Sequence, residues 1–131
     1  MPYPHTEKIK KRLEGYADFI VKDGLNYLIP RWEKITEDVE MEDDIYEYTN
    51  NLDVRSAIDI VLTELSSEEQ KEVEKKLVLP DSLFEEKTIK IKENICGLAH
   101  EQKHNLTREK NWYYYRAPKS LIDANPDIQS V

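Results

Sequence analysis

The chain has 131 residues, enough for one domain and too few for two. Charged residues make up 35% of it, against about 25% in an average soluble protein, and 27 acids outnumber 19 bases for a formal net charge of −8. No apolar run approaches the roughly 18 to 20 residues of a membrane span, the start lacks the basic-then-apolar order of a signal peptide, and one cysteine excludes an internal disulfide framework. Glycines at 15, 24 and 97 alone leave no glycine-rich phosphate loop. The expectation is a small, acidic, cytoplasmic protein without a membrane segment.

The dominant pattern along the chain has the helical period. Residues 1–5 carry two prolines and read as a loose arm, as do residues 123–131, which lack periodicity; a single helical domain is expected over 6–122. Thr6 caps a first helix with Ile9, Leu13, Tyr16 and Ile20 on its inner face, and Gly24 stops it. A second helix is predicted from Pro30, where a first-turn proline costs nothing, with Trp32, Ile35 and Val39 inward, ending near Met41.

Between Asp44 and Leu65 the apolar phase shifts. Ile45, Tyr48 and Leu52 share one face, while Val54, Ile58, Leu62 and Leu65 share another, so two helices are expected, broken at Asn50-Asn51 with Asp53 as the second N-cap. Ser66-x-x-Glu69 is a capping box for the next helix, which Leu79-Pro80 should end. After an Asp81 cap, Leu83, Phe84, Thr88, Ile91, Ile95 and Leu98 follow helical spacing and predict one long helix from about Ser82 to His104. Gly97 and the strand-like alternation of Thr88 to Lys92 count against it. Trp112 to Tyr115 favours extended backbone. The expected fold is mainly α, a compact bundle of five or six helices with a short extended C-terminal segment.

Three features carry candidate chemistry. His100-Glu101-Gln102-Lys103-His104 spells His-Glu-x-x-His, which on a helix sets two imidazoles one turn apart for zinc, with Glu101 as base for a metal-bound water. The resemblance to zinc metalloproteases covers these five residues only; no third ligand stands in a recognisable motif downstream. On the expected long helix, His100 and His104 fall at about 180° and about 220° from the apolar stripe, toward solvent. Cys96 extends that column, and a Cys96–His100 nucleophile pair would lack an orienting third group.

The second feature is charge asymmetry. Residues 31–53 hold nine acids and two bases, a net −7, while residues 87–116 carry +4. A clustered negative surface speeds encounter with a cationic partner and repels nucleic acid. Tyr46 and Tyr48 lie among these acids and would add rigid apolar contact area. The third feature, Arg108 to Arg116, sets bases around four aromatics and could stack a single-stranded nucleic acid, which the overall charge disfavours.

The leading expectation is a non-enzymatic interaction protein, comparable in size, charge and helicity to immunity proteins and antitoxins that inhibit a basic partner protein. Asp43, Asp44 and Glu47 would steer the partner, and Tyr46, Tyr48 and Trp32 would be buried against it; no cofactor is expected. The alternative is a zinc-dependent hydrolase using His100, Glu101 and His104, and the third reading is a nucleic-acid-associated accessory protein. Ile89 and Cys96, on a second face of the long helix, allow a homodimer.

Overall fold

The computed structural model describes residues 3–131. The mainly α expectation holds: seven helices and one two-stranded sheet form the architecture of the described residues. The helices are α1 (Glu7–Arg12), α2 (Asp18–Asp23), α3 (Leu25–Glu37), α4 (Ile45–Leu62), α5 (Ser67–Lys87), α6 (Leu98–His104) and α7 (Lys119–Ala124). Strand β1 (Ile89–Lys90) pairs antiparallel with β2 (Arg116–Ala117), Ile89 opposite Ala117. Helix α3 packs against both α4 and α5, α1 also contacts α4, and no helix among the described residues is long and apolar enough to cross a membrane.

The first expected helix is two. Thr6 caps α1 by accepting from the Ile9 amide, but Gly15 at φ 100° breaks the run, and α2 starts afresh. Gly24 ends α2 as expected, at φ 55°, and α3 begins at once, so Pro30 sits inside α3 rather than at its start. A Cβ at Gly24 would lie 2.4 Å from the His5 ring, whose Nε2 donates to the Val21 carbonyl at 2.7 Å. Of the arm expected to be loose, Met1 and Pro2 lie outside the described residues; the Tyr3 amide is held by Asn26 at 2.7 Å.

The break expected at Asn50-Asn51 does not exist. Helix α4 runs unbroken for 18 residues, and both apolar sets are buried or half-buried because different neighbours cover its two sides. The phase shift in the sequence records this two-sided burial, not a helix boundary. The stop at Leu79-Pro80 is also absent: α5 has its Ser66–Glu69 capping box but continues through a buried Pro80 to Lys87. That proline forgoes one helical hydrogen bond, a cost tertiary packing offsets. Asp81 is no cap. It accepts two hydrogen bonds from the Arg55 guanidinium, both at 3.0 Å, and one from the Trp32 indole at 2.8 Å.

The long helix over 82–104 is corrected most. Its Thr88–Lys92 alternation wins: the chain leaves α5 as strand β1, and only residues 98–104 rewind as α6. Arg116 explains the switch, donating to the carbonyls of Glu85 and Thr88 and so closing the C-terminal end of α5. Ile91 is buried from non-helical backbone, while Leu98, expected inward, is 62% exposed. Residues Trp112–Tyr115 form a 3-10 turn rather than a strand. The tail is held too, with the Lys92 amide donating to Gln129 and the Val131 amide to Lys90.

The core centres on Trp32 and Phe84, ring centroids 5.2 Å apart, with Tyr48 and Trp112 against Phe84. Arg55 lies beside this core with its side chain 8% exposed, bound by Asp81 and Asp59. Removing one partner of a buried pair strands the other's charge. Asp81→Ala is therefore expected to lower unfolding free energy in a urea titration by about 3 to 5 kcal/mol, and Arg55→Met with Asp81→Leu to recover much of that loss.

Candidate functional site

The residues expected to meet a partner separate into two groups. Tyr46 is 80% exposed, and Asp43 and Glu47 are exposed with it. Tyr48 and Trp32 are corrected: they are 1% and 0% exposed, and Tyr48 donates to the Arg116 carbonyl at 2.5 Å. Asp44 is exposed, but its carboxylate caps α4 by accepting from the Tyr46 and Glu47 amides. Glu42 is likewise occupied, accepting from the Asp43 and Asp44 amides. Ser120 fixes this loop from α7 by sharing its one hydroxyl proton between the Glu40 and Glu42 carbonyls, and Lys87 pairs with Glu40 at 2.9 Å. Met41, not singled out in the sequence, projects from the same anchored loop at 74% exposure.

The histidines are placed differently from expectation. With the long helix gone, His100 is half-buried while His104 stays exposed as expected, and both line an open cleft of about 990 Å³ together with Tyr16, Asp53, Ser56 and Tyr114. Their ring centroids are 4.4 Å apart, and the His100 ring is 6.0 Å from that of Tyr114. The Tyr114 hydroxyl donates to Asp53 Oδ1 at 2.9 Å. Burial raises the Asp53 carboxyl above its ordinary 3.8, while the Tyr114 bond and the two imidazoles pull it back.

Glu101 does not share this cavity. It accepts from the Tyr115 hydroxyl and lines a separate pocket with Arg108. The base and the imidazoles of the His-Glu-x-x-His pattern thus serve different clefts. Among the described residues no three His, Cys, Asp or Glu side chains are grouped so as to hold a metal ion. Cys96 is half-buried, and burial, with the charge of Asp53 adding, pushes its thiol up to about 11. It stays protonated at neutral pH, the opposite of an activated nucleophile.

The aromatic platform read in residues 112–115 is not on the surface. Tyr113, Tyr114 and Tyr115 are buried, with hydroxyls on Asp59, Asp53 and Glu101. Arg108 is exposed and lies over the Tyr115 ring at 4.7 Å. The cavity residues that sequence reasoning missed are Asp53, Ser56, Tyr16 and Tyr114. The signal was present in α4: Asp53, Ser56 and Thr63 mark one helical face, hidden by treating Asp53 as a cap.

Burial lowers the His100 imidazole below its ordinary 6.5; neighbouring His104 adds to this, Asp53 opposes it, and Lys103 adds slightly. A His depressed in the folded state takes its proton first in the unfolded chain, so its contribution to stability is lost as pH falls below 6.5. In an NMR titration His100 is expected to have its midpoint below 6.5, His104→Gln to raise that midpoint, and Asp53→Asn to lower it. Comparison with protein-family models, curated proteins and solved structures finds no match to this chain.

Proposed function

We propose that this chain is a non-enzymatic interaction protein whose acidic face around Met41 and Tyr46 engages a basic partner protein, in the manner of an immunity- or antitoxin-type inhibitor. One observation carries the reading. Two large apolar side chains, 74% and 80% exposed, stand on a loop and helix start that several hydrogen bonds hold fixed. Neither contributes to the core, and carboxylates of Asp38, Glu40, Asp43 and Glu47 surround them in sequence. Rigid apolar anchors inside a charged rim suit partner recognition, because the anchor loses little entropy and the rim steers encounter.

The acids divide by role. Asp44 and Glu42 hold the surface in shape, and Glu40 is tied to Lys87, so Asp43 and Glu47 are the residues of the expected set best placed to steer. Tyr46 supplies contact area that Tyr48 and Trp32, inside the core, do not. Zinc hydrolysis through His100, Glu101 and His104 gains no support from the divergent placement of Glu101.

The test is a pull-down on immobilised chain followed by stopped-flow measurement with the partner obtained. Association is expected to slow steeply as salt rises from about 50 to about 500 mM. Asp43→Asn with Glu47→Gln should chiefly lower the on-rate, whereas Tyr46→Ser should chiefly raise the off-rate, by about tenfold or more. An on-rate indifferent to salt, or a Tyr46→Ser variant that binds as the parent does, overturns the reading.

A further inference from the structure

The cavity beside α4 contains one partly buried carboxylate that no ion pair among the described residues matches. Asp59 is shared by Arg55 and Tyr113, and Arg12 at the rim is bound to Glu64 at 2.8 Å. Glu14 and Lys110 are exposed at the mouth. Asp53 sits deeper, partly buried; its Oδ1 accepts from Tyr114, and among the described residues it joins no ion pair. The rings of Tyr16 and Tyr114 and the imidazoles of His100 and His104 wall the space above it.

We propose that this cleft seats the ammonium group of a lysine side chain from the basic partner, held on Asp53 between the tyrosine rings. The idea rests on the partner reading above and extends it to a second contact point. The unbroken α4 links the two. Tyr46 and Asp53 are seven residues apart, on one face and about 10 Å along the axis. A partner surface resting on Tyr46 would extend about 10 Å along α4 for one of its lysines to meet Asp53.

The chemistry suits an ammonium. A guanidinium is a planar fork that binds best across both carboxylate oxygens, whereas an ammonium is a compact point charge. An ammonium needs one oxygen, Oδ2, and gains attraction from the aromatic faces. A metal ion is the poorer fit, since the described residues offer no group of three donors. Burial disfavours the protonated form of His100, so that ring competes less for Asp53.

The test needs no partner. The intact chain is titrated at neutral pH with n-butylammonium, with n-butylguanidinium, with spermidine and with a tetralysine peptide, and followed by NMR of His100, His104, Tyr114 and Tyr46. Butylammonium should give saturable shifts at the first three residues and bind about tenfold more tightly than butylguanidinium. Tetralysine should extend the shifts to Tyr46. Asp53→Asn should weaken butylammonium by about tenfold or more. Because that variant also alters the Tyr114 bond, His104→Lys is the second probe: it leaves Asp53 and Tyr114 in place, supplies its own ammonium and should compete with butylammonium to a similar degree. Shifts confined to residues 37–47, or parental affinity in both variants, overturn the site. Spermidine binding about tenfold more tightly than tetralysine overturns the lysine source in favour of a free polyamine. Saturable butylammonium binding in a chain that captures no basic protein leaves the cleft standing and removes the partner reading; a salt-steered partner unaffected by Asp53→Asn does the reverse.

Discussion

The Arg55–Asp81 pair fixes how the three central helices meet. Its guanidinium reaches from α4 to α5, while the Trp32 indole reaches the same carboxylate from α3. Arg55 also holds Asp59 one turn along α4, and Asp59 in turn accepts from Tyr113. Burial alone would lower the pKa of the guanidinium; its bonds and charge attraction to Asp81 and Asp59 more than reverse that and keep it charged. A charge removed from water demands partners in fixed positions, so the pair sets angles and register as well as contributing energy. The apolar cluster around Trp32 and Phe84 fills the space that this arrangement leaves.

From that centre the C-terminal half is attached by three consecutive phenols. A 3-10 turn rotates about 120° per residue, so Tyr113, Tyr114 and Tyr115 point in three directions. Each finds a carboxylate: Asp59 and Asp53 on α4, Glu101 on α6. A buried phenol needs such a partner, and the turn satisfies three at once. The same bonds orient the cleft, because Tyr114 holds Asp53 and Tyr115 keeps Glu101 away from the histidines.

The acidity of the chain is not one property. Asp81, Asp59 and Asp53 organise the interior, Asp44 and Glu42 shape a surface loop, and Asp43 and Glu47 are left exposed. On the reading proposed above, the last kind would steer a partner, and Asp53 alone of the first would touch it. The exposed Met41 and Tyr46 owe their fixed positions to the second kind. If this surface meets a partner as proposed, its apolar side chains are already held in place, which would lower the ordering cost of binding.

Local sequence determined the elements whose signals are local. The helical class, the Thr6 and Ser66–Glu69 caps, the Gly24 stop and the inward Ile35 and Val39 follow from hydrogen-bond closure and period alone. Four features were decided only by tertiary contacts: the continuity of α4 past Asn50-Asn51, the passage of α5 through Pro80, the strand after Thr88, and the turn at Trp112–Tyr115. Partners distant in sequence decided between competing local preferences, as Arg116 did at the end of α5 and Asp59 and Asp53 did for the tyrosines. The exposed Tyr46 was legible as a candidate, but its separation from the buried Tyr48 two residues away was not, because the period gives each helix face without telling which neighbour covers it. The cleft was illegible for the same reason: Asp53, Tyr114 and His100 meet through packing, and no spacing along the chain encodes that meeting.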